Sequence, residues 1–292
     1  SGAVGARGQV LAAHELLAQA DEIGLGTDRV VLPTATGGTQ AGLLVGLPER
    51  IAVTGIVAAR TAAELRPAIA GMVEAAGGYP STLGIAADRF DDVRARLCAG
   101  LVGGAEAIIV SGGVSVGPYD VVREAFAEFG KIDLWRVAVQ PGKPFAFGTA
   151  RAPGDDGSDP SRPPTLLFGL PGNPVSTFVT FELFVRPAIR RLAGYRDDDL
   201  DRPVDRAVLA DDVSKSTGRR GFIRVRVDRD ERGTPRRDDR GRVAARLAGG
   251  MGGQGSHVLS ALATADALAV IPEADDTLPA GAEVELWWLD RA

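Results

Sequence analysis

Short apolar runs along the first two thirds of the chain alternate with longer segments whose apolar positions recur every three to four residues. The runs Arg29–Pro33, Arg50–Val57, Thr82–Ala86, Ala107–Val110, Leu134–Val139 and Thr165–Phe168 predict strands. The segments Val10–Glu22, Ala62–Ala76, Asp91–Leu101 and Val175–Leu192 predict helices, as does a segment opened by Asp120 with apolar residues at Val121, Val122, Phe126 and Phe129. Strands alternating with helices at this spacing predict an α/β fold whose parallel sheet is covered on both faces. After the charged stretch Tyr195–Asp199 the texture changes: Phe222–Val227, Val243–Leu247 and Glu283–Leu289 alternate with period two, the pattern of a small β-barrel-like domain. Val258–Leu268 reads as a short helix over the barrel's mouth. The segmentation that follows is 1–49, an N-terminal α/β segment; 50–195, an α/β domain; and 196–292, a C-terminal β domain.

Three Pro/Gly corners stand just after predicted strands. Ser111-Gly112-Gly113 follows Ala107–Val110, Gln140-Pro141-Gly142-Lys143-Pro144 follows Leu134–Val139, and Gly169-Leu170-Pro171-Gly172-Asn173-Pro174 follows Thr165–Phe168. In an open α/β sheet such corners lie at the carboxyl ends of strands, where free N–H groups and helix N-termini hold anions. Asn173 suits the N-cap of the next helix and Pro174 its first position. Lys143, between two prolines, is a cation with little backbone freedom to lose. Read from the residues alone, Asp120 and Asn173 are equally caps, Ser176 a first-turn hydroxyl, and Arg219 and Arg224 charges on a barrel surface.

Composition narrows the partners. A net charge of -5 and a pI near 5.2 argue against a broad nucleic-acid face, so an anion site must be a local exception. Only three lysines, Lys131, Lys143 and Lys215, stand among the 33 basic residues, and Lys143 alone sits in a Pro/Gly corner. Cys98 is the single cysteine and forms no internal disulfide; it reads as a small buried residue, and two histidines add too little for a zinc site. No apolar run reaches the roughly 20 residues of a membrane span and no signal-peptide pattern opens the chain, so a cytoplasmic location without membrane contact is expected.

The words TGGTQAGLLVGL, from Thr36 to Leu47, resemble the phosphate-cradling loop of tryptophan-synthase-like pyridoxal-phosphate enzymes of the D-cysteine desulfhydrase group. That chemistry needs a Schiff-base lysine and none occurs before Lys131, so Gly37–Gly42 is read as a structural turn and a pyridoxal-phosphate lyase as the least favoured function.

From about Gly77 onward the chain resembles the molybdopterin molybdenumtransferase family (MoeA, and the gephyrin E domain of animals). The words that carry the resemblance are SGGVSVGPYD, QPGKPFAFG, FGLPGNPVSTFVTFELFVRP, RRGFIRV, GGQGSHVLSALATADALAVIPE and LPAGAEVEL, in that order. The resemblance implies a molybdopterin-binding α/β domain followed by a β domain. It also implies insertion of molybdate into adenylylated molybdopterin with Mg2+-dependent release of AMP. Asp120 is implied to hold Mg2+ or position the attacking water, and Lys143 to be catalytic. The resemblance further implies that Pro144 lines the molybdate pocket with Ser176, that Arg219 or Arg224 and Ser256 contribute from the last domain, and that Ser111, Gly112, Gly113 and Asn173 hold phosphate. A homodimer and a molybdopterin adenylyltransferase partner are further expectations. His257 carries no role there, and His14 lies in the unrelated first segment.

Two departures open an alternative. The family's Thr-Gly-Asp-Glu-Leu strand end corresponds here to Val53-Thr54-Gly55-Ile56-Val57, without the carboxylate, and Gln140 stands where a lysine commonly precedes PGKP. The alternative is a catalytically impaired molybdopterin- or nucleotide-binding or scaffold protein. The sequence leaves molybdate and tungstate undistinguished.

Overall fold

A computed structural model describes residues 18, 22, 29–34, 52–57, 62–87, 89–112, 121–250, 254–255 and 258–289. The chain divides into two compact units, residues 1–65 and 66–292. In the first, β1 (Arg29–Thr34) and β2 (Ala52–Val57) pair in parallel, Arg29 opposite Ala52 and Thr34 opposite Val57. Of the helix expected over Val10–Glu22, Ala18 and Glu22 are helical; its other residues, His14 and the Gly37–Gly42 turn lie outside the described residues.

Helix α1 (Ala62–Ala75) crosses the division, and α2 (Phe90–Val102) follows. Between them Thr82–Ala86 is not a strand. Gly84, at its centre, takes φ +81°, which breaks the strand conformation; Leu83 and Ile85 are exposed, and the guanidinium of Arg96 donates to the carbonyl of Leu83. Next come β3 (Ala107–Ser111), α3 (Val121–Phe129), β4 (Gly130–Arg136), β5 (Val139–Gln140), β6 (Pro144–Ala150) and β7 (Thr165–Leu170).

Four of these form a sheet in the order β3-β7-β6-β4. The expected parallel pairing joins β3 to β7; β6 and β4 extend the sheet antiparallel. The cause is the connections: only short or helix-free segments link β4, β6 and β7, and parallel neighbours need a crossover. The segment 151–164 is the solvated loop the sequence suggests, closed by Asp155, Asp156 and Asp159 turns onto backbone N–H groups.

Strand alternation sends side chains to both faces. Ile108, Ala146 and Leu167 pack with Val93, Leu97, Val122 and Phe126 of α2 and α3. Phe145, Phe168 and Leu170 pack on the other face with Val73, Phe181, Val185 and Ile189. The last three come from the long helical run that follows β7: α4 (Pro174–Thr180), a π-helical turn (Phe181–Val185) and α5 (Arg186–Leu192), ended by Gly194 at φ +80°. Cys98 is half-buried and free rather than fully buried.

The remaining strands are β8 (Val204–Leu209), β9 (Val213–Ser214), β10 (Arg220–Val227), β11 (Val243–Leu247), β12 (Ala267–Ile271), β13 (Thr277–Leu278) and β14 (Glu283–Trp288). The order β11-β8-β14-β12-β10, with β10 pairing back to β11, closes a five-stranded barrel, and β5 attaches to the start of β10. Ile223, Val225, Val243, Ala267, Ala269, Ile271 and Leu286 fill its interior. The helix expected over Val258–Leu268 is shorter, α6 (Leu259–Ala263), and Leu268 instead lies in β12. That strand is buried on both faces: Ala267, Ala269 and Ile271 line the barrel, while Leu268 and Val270 join Phe222, Val139 and Val179 outside it. A strand buried on both faces has no polar alternation to declare it. Trp287 meets Phe222 edge-on at 5.7 Å between centroids, and Trp288 packs on the barrel and donates from Nε1 to Asp205. Among the described residues no helix is long and apolar enough to cross a membrane.

Candidate functional site

β3 and β7 lie side by side in parallel, Ser111 opposite Leu170, so two of the three corners open at one carboxyl edge. Gly112 takes φ +87° and donates its N–H to the carbonyl of Leu170 at 3.0 Å, while Ser111 Oγ donates to Pro171 O at 3.4 Å. A Cβ built on Gly172 would stand 3.4 Å from the Cα of Gly112, and one on Gly112 would stand 3.9 Å from the Cα of Gly172. The corners therefore meet glycine on glycine, and the edge presents backbone where side chains would otherwise stand. With the Gly112 N–H committed to Leu170, an anionic ligand at this edge would be held by other backbone N–H groups of the corners.

Asn173 has the extended backbone of an N-cap residue, φ -79° and ψ 124°, and Pro174 fills the first helical position. The Asn173 side chain makes no capping bond to α4, contrary to its reading as a cap. Its carbonyl accepts from the N–H of Thr177 at 2.8 Å and from Thr177 Oγ1 at 2.9 Å, and Thr177 Oγ1 also reaches Pro171 O. This one hydroxyl ties the corner to the first turn of α4. Ser176 is buried, and its carbonyl accepts from Thr180 Oγ1 at 2.8 Å.

The third corner is packed against the same helix. Gly142 is buried at φ +123°; a Cβ there would lie 2.6 Å from Thr180 Cγ2 and 3.7 Å from the carbonyl of Ser176. Lys143 is exposed, its carbonyl accepts from Val137 N–H at 3.2 Å, and Pro144 opens β6. On the far side the corner is bound to the barrel. β5 pairs in parallel with β10, the N–H of Arg220 donates to Ala138 O at 2.8 Å, and the N–H of Ser216 donates to Gln140 Oε1 at 3.2 Å. Gln140 thus serves as a contact between the α/β domain and the barrel. Gly142→Ala is expected to lower stability by about 1–3 kcal/mol, from the forced φ and the displaced Thr180. A urea midpoint unchanged at constant slope would contradict this.

Arg219 is half-buried in the turn before β10. Arg224, within β10, is not a barrel-surface charge: it is fully buried, and burial pulls its guanidinium down to about 10. Its Nη2 donates to Gly255 O at 3.2 Å and its backbone N–H to Gln254 Oε1 at 3.0 Å. The structure therefore brings Ser111, Gly112, Asn173 and Ser176 to neighbouring corners, with Lys143 and Pro144 on the loop packed against α4, and places Arg224 beneath a barrel loop. Gly113, Asp120, Ser256 and His257 lie outside the described residues.

Among the described residues no three His, Cys, Asp or Glu side chains converge as a metal site. Asp120, the carboxylate that the resemblance assigns to Mg2+, lies outside the described residues. Two features escaped the sequence reading. Gln254 stands between Gly253 and Gly255, and an amide between glycines is a signal for a side chain that bonds backbone. Glu182 and Arg186, four apart within an otherwise apolar helix face, signal a buried ion pair.

A family model described as a probable molybdopterin binding domain matches residues 51–191, and one described as the MoeA C-terminal region (domain IV) matches residues 206–289. Molybdopterin molybdenumtransferase 1 of Mycobacterium tuberculosis is 35% identical over 197 residues, covering 66% of this chain and 41% of that protein. Molybdopterin molybdenumtransferase of Haemophilus influenzae is 31% identical over 182 residues, 62% of this chain and 39% of that protein. Gephyrin of Dictyostelium discoideum is 33% identical over 186 residues, 61% and 24% respectively. The chain spans about two fifths of the length of the two bacterial relatives. The crystal structure of a molybdopterin biosynthesis MoeA protein from Pyrococcus horikoshii shares the fold, with a TM-score of 0.55 at 21% identity over 96% of this chain and 60% of that one.

Proposed function

We propose, since this chain belongs to the molybdopterin molybdenumtransferase family, that it acts in molybdenum cofactor biosynthesis by inserting molybdate into molybdopterin. The observation that carries the reading is the meeting of the Ser111-Gly112 and Gly172-Asn173 corners at one carboxyl edge of the sheet, beside the start of α4. Its finer form is that the substrate is adenylylated molybdopterin and that water is added across the phosphoanhydride, leaving AMP. In that form Ser111, Gly112, Gly113 and Asn173 bind the phosphates. Lys143 neutralises charge on the oxyanions, beside Pro144 and Ser176, and Arg219 and Ser256 approach from the barrel. Arg224 holds the barrel loop from beneath. Asp120 is assigned to Mg2+ or to the attacking water, and the metal supplies charge neutralisation when bound. The domain limits 1–49, 50–195 and 196–292, a homodimer, an adenylyltransferase partner and a cytoplasmic location belong to the same proposal.

The test is AMP release from adenylylated molybdopterin with molybdate and Mg2+, against the same mixture lacking either. Release that requires both supports the reading. Retained pterin with no AMP release would sink it and establish the second reading, a binding module without turnover. That reading is favoured by the side chain of Gln140, which is engaged with Ser216 and adds no cation to the corner.

A further inference from the structure

Strand β10 shows two different faces. Ile223 and Val225 point into the barrel core, while Phe222 joins Val139, Val179 and Leu268 on the outer face toward the α/β domain. Alternation puts Arg224 on the Phe222 face, opposite Leu268 of β12 in the ladder. On its other edge β10 pairs with β11 only from Val225 to Val227, and one further bond, Ala248 N–H to Arg224 O at 3.0 Å, ends the run. The chain then turns away through Gly249 and Gly250, both at positive φ.

A side chain supplies the bonds that follow. Gln254 Oε1 accepts the N–H of Arg224 at 3.0 Å, while Gln254 Nε2 donates to Arg224 O at 3.0 Å and to Ala248 O at 3.1 Å. A side-chain amide has the donor and acceptor of a peptide group, so it can stand in for the missing strand. Arg224 Nη2 adds a bond to Gly255 O, whose carbonyl also accepts the N–H of Val258 at 3.1 Å just before α6. Helix α6 in turn lies against α4, the helix that carries Ser176. Ala261 and Ala265 pack with Ala248, closing the loop on itself.

We infer that Gln254, together with Arg224, is a positioning residue: its amide locks the loop after β11 onto β10 and so sets α6 of the barrel against the Ser176 helix. The functional meaning of this rests on the reading proposed above; the structural coupling does not. Few other side chains would serve. Met has the size without the bonds, Glu keeps the acceptor but faces two carbonyls with no donor, and Asn is one methylene short.

Hydrogen exchange of the full chain tests this in Gln254→Met, with Gln254→Glu as a second variant that keeps the bond to the Arg224 N–H. Exchange about tenfold faster is expected in 254–263 and also in 174–180, with 204–209 and 283–288 unchanged. Acceleration confined to 248–258 would overturn the coupling, and so would loosening of the whole barrel, which would make Gln254 a scaffold residue only. In steady-state assays the variants should raise the KM for the pterin about tenfold with a smaller change in kcat; unchanged KM alongside altered exchange in 174–180 would overturn the link to the site. A wild-type chain that takes up no pterin would remove the functional reading, and the exchange pattern would still decide the coupling.

Discussion

Lys143→Ala is expected to lower molybdate-dependent AMP release by about 10²–10³-fold, the usual consequence of removing one group that stabilises developing negative charge. The expectation follows from how the lysine is held. Its corner is fixed on one side by Gly142 against Thr180 and on the other by β5 against β10, while its own side chain is exposed. No described residue forms an ion pair with it, so its removal breaks no described ion pair. The loss should therefore appear in turnover with the urea midpoint unchanged. Lys143→Arg keeps the charge but spreads it over a planar fork, and recovery should be partial. Full activity in Lys143→Ala would exclude the lysine from the reaction.

Glu182→Ala should have the largest effect on stability, a loss of about 3–5 kcal/mol, because it leaves buried positive charge uncompensated. Glu182 is 4% exposed and accepts from Arg202 Nε at 2.7 Å and Nη2 at 3.1 Å, with Arg186 Nε 3.9 Å away. Burial, together with the neighbouring Arg202 and Arg190, holds the Arg186 guanidinium down at about 10, against the pull of Glu182. The cluster lines a cavity of about 240 Å³ together with Ala68, Gly71, Met72 and Phe178. The cluster also fastens the chain leading into the barrel, since Arg186 Nη1 donates to Leu200 O at 2.7 Å. Urea unfolding would measure the loss, and a loss under about 1 kcal/mol would contradict the account. Replacing Glu182, Arg186 and Arg202 together by Leu or Met should restore most of the stability, since no charge is then stranded.

The legible parts of this protein share one property: their signal is local. Gly112, Gly142 and Gly172 could be singled out because a corner after a strand is written in adjacent residues, and positive φ at the first two is what those glycines allow. Helices α1, α2 and α3 were legible from their spacing. Thr82–Ala86 reads as a strand from its apolar content, but Gly84 in its middle takes φ +81°, which ends any strand there. β12 misled in the opposite sense, since burial on two faces erased the alternation that marked β10 and β14.

The sequence by itself determined the corners, their order and their chemistry: backbone N–H groups, one lysine, and a helix opened by Asn173 and Pro174. The family followed from words in sequence order. Only the tertiary structure decided which groups face one another. The parallel register of β3 and β7 sets Gly112 on Gly172, β5 carries the Lys143 corner onto the barrel, and Gln254 completes a strand from 30 residues away. These contacts join residues distant in the chain, within each domain for Gly112 with Gly172 and Gln254 with Arg224 and between the two for β5 with β10, and no local pattern encodes such long-range pairing.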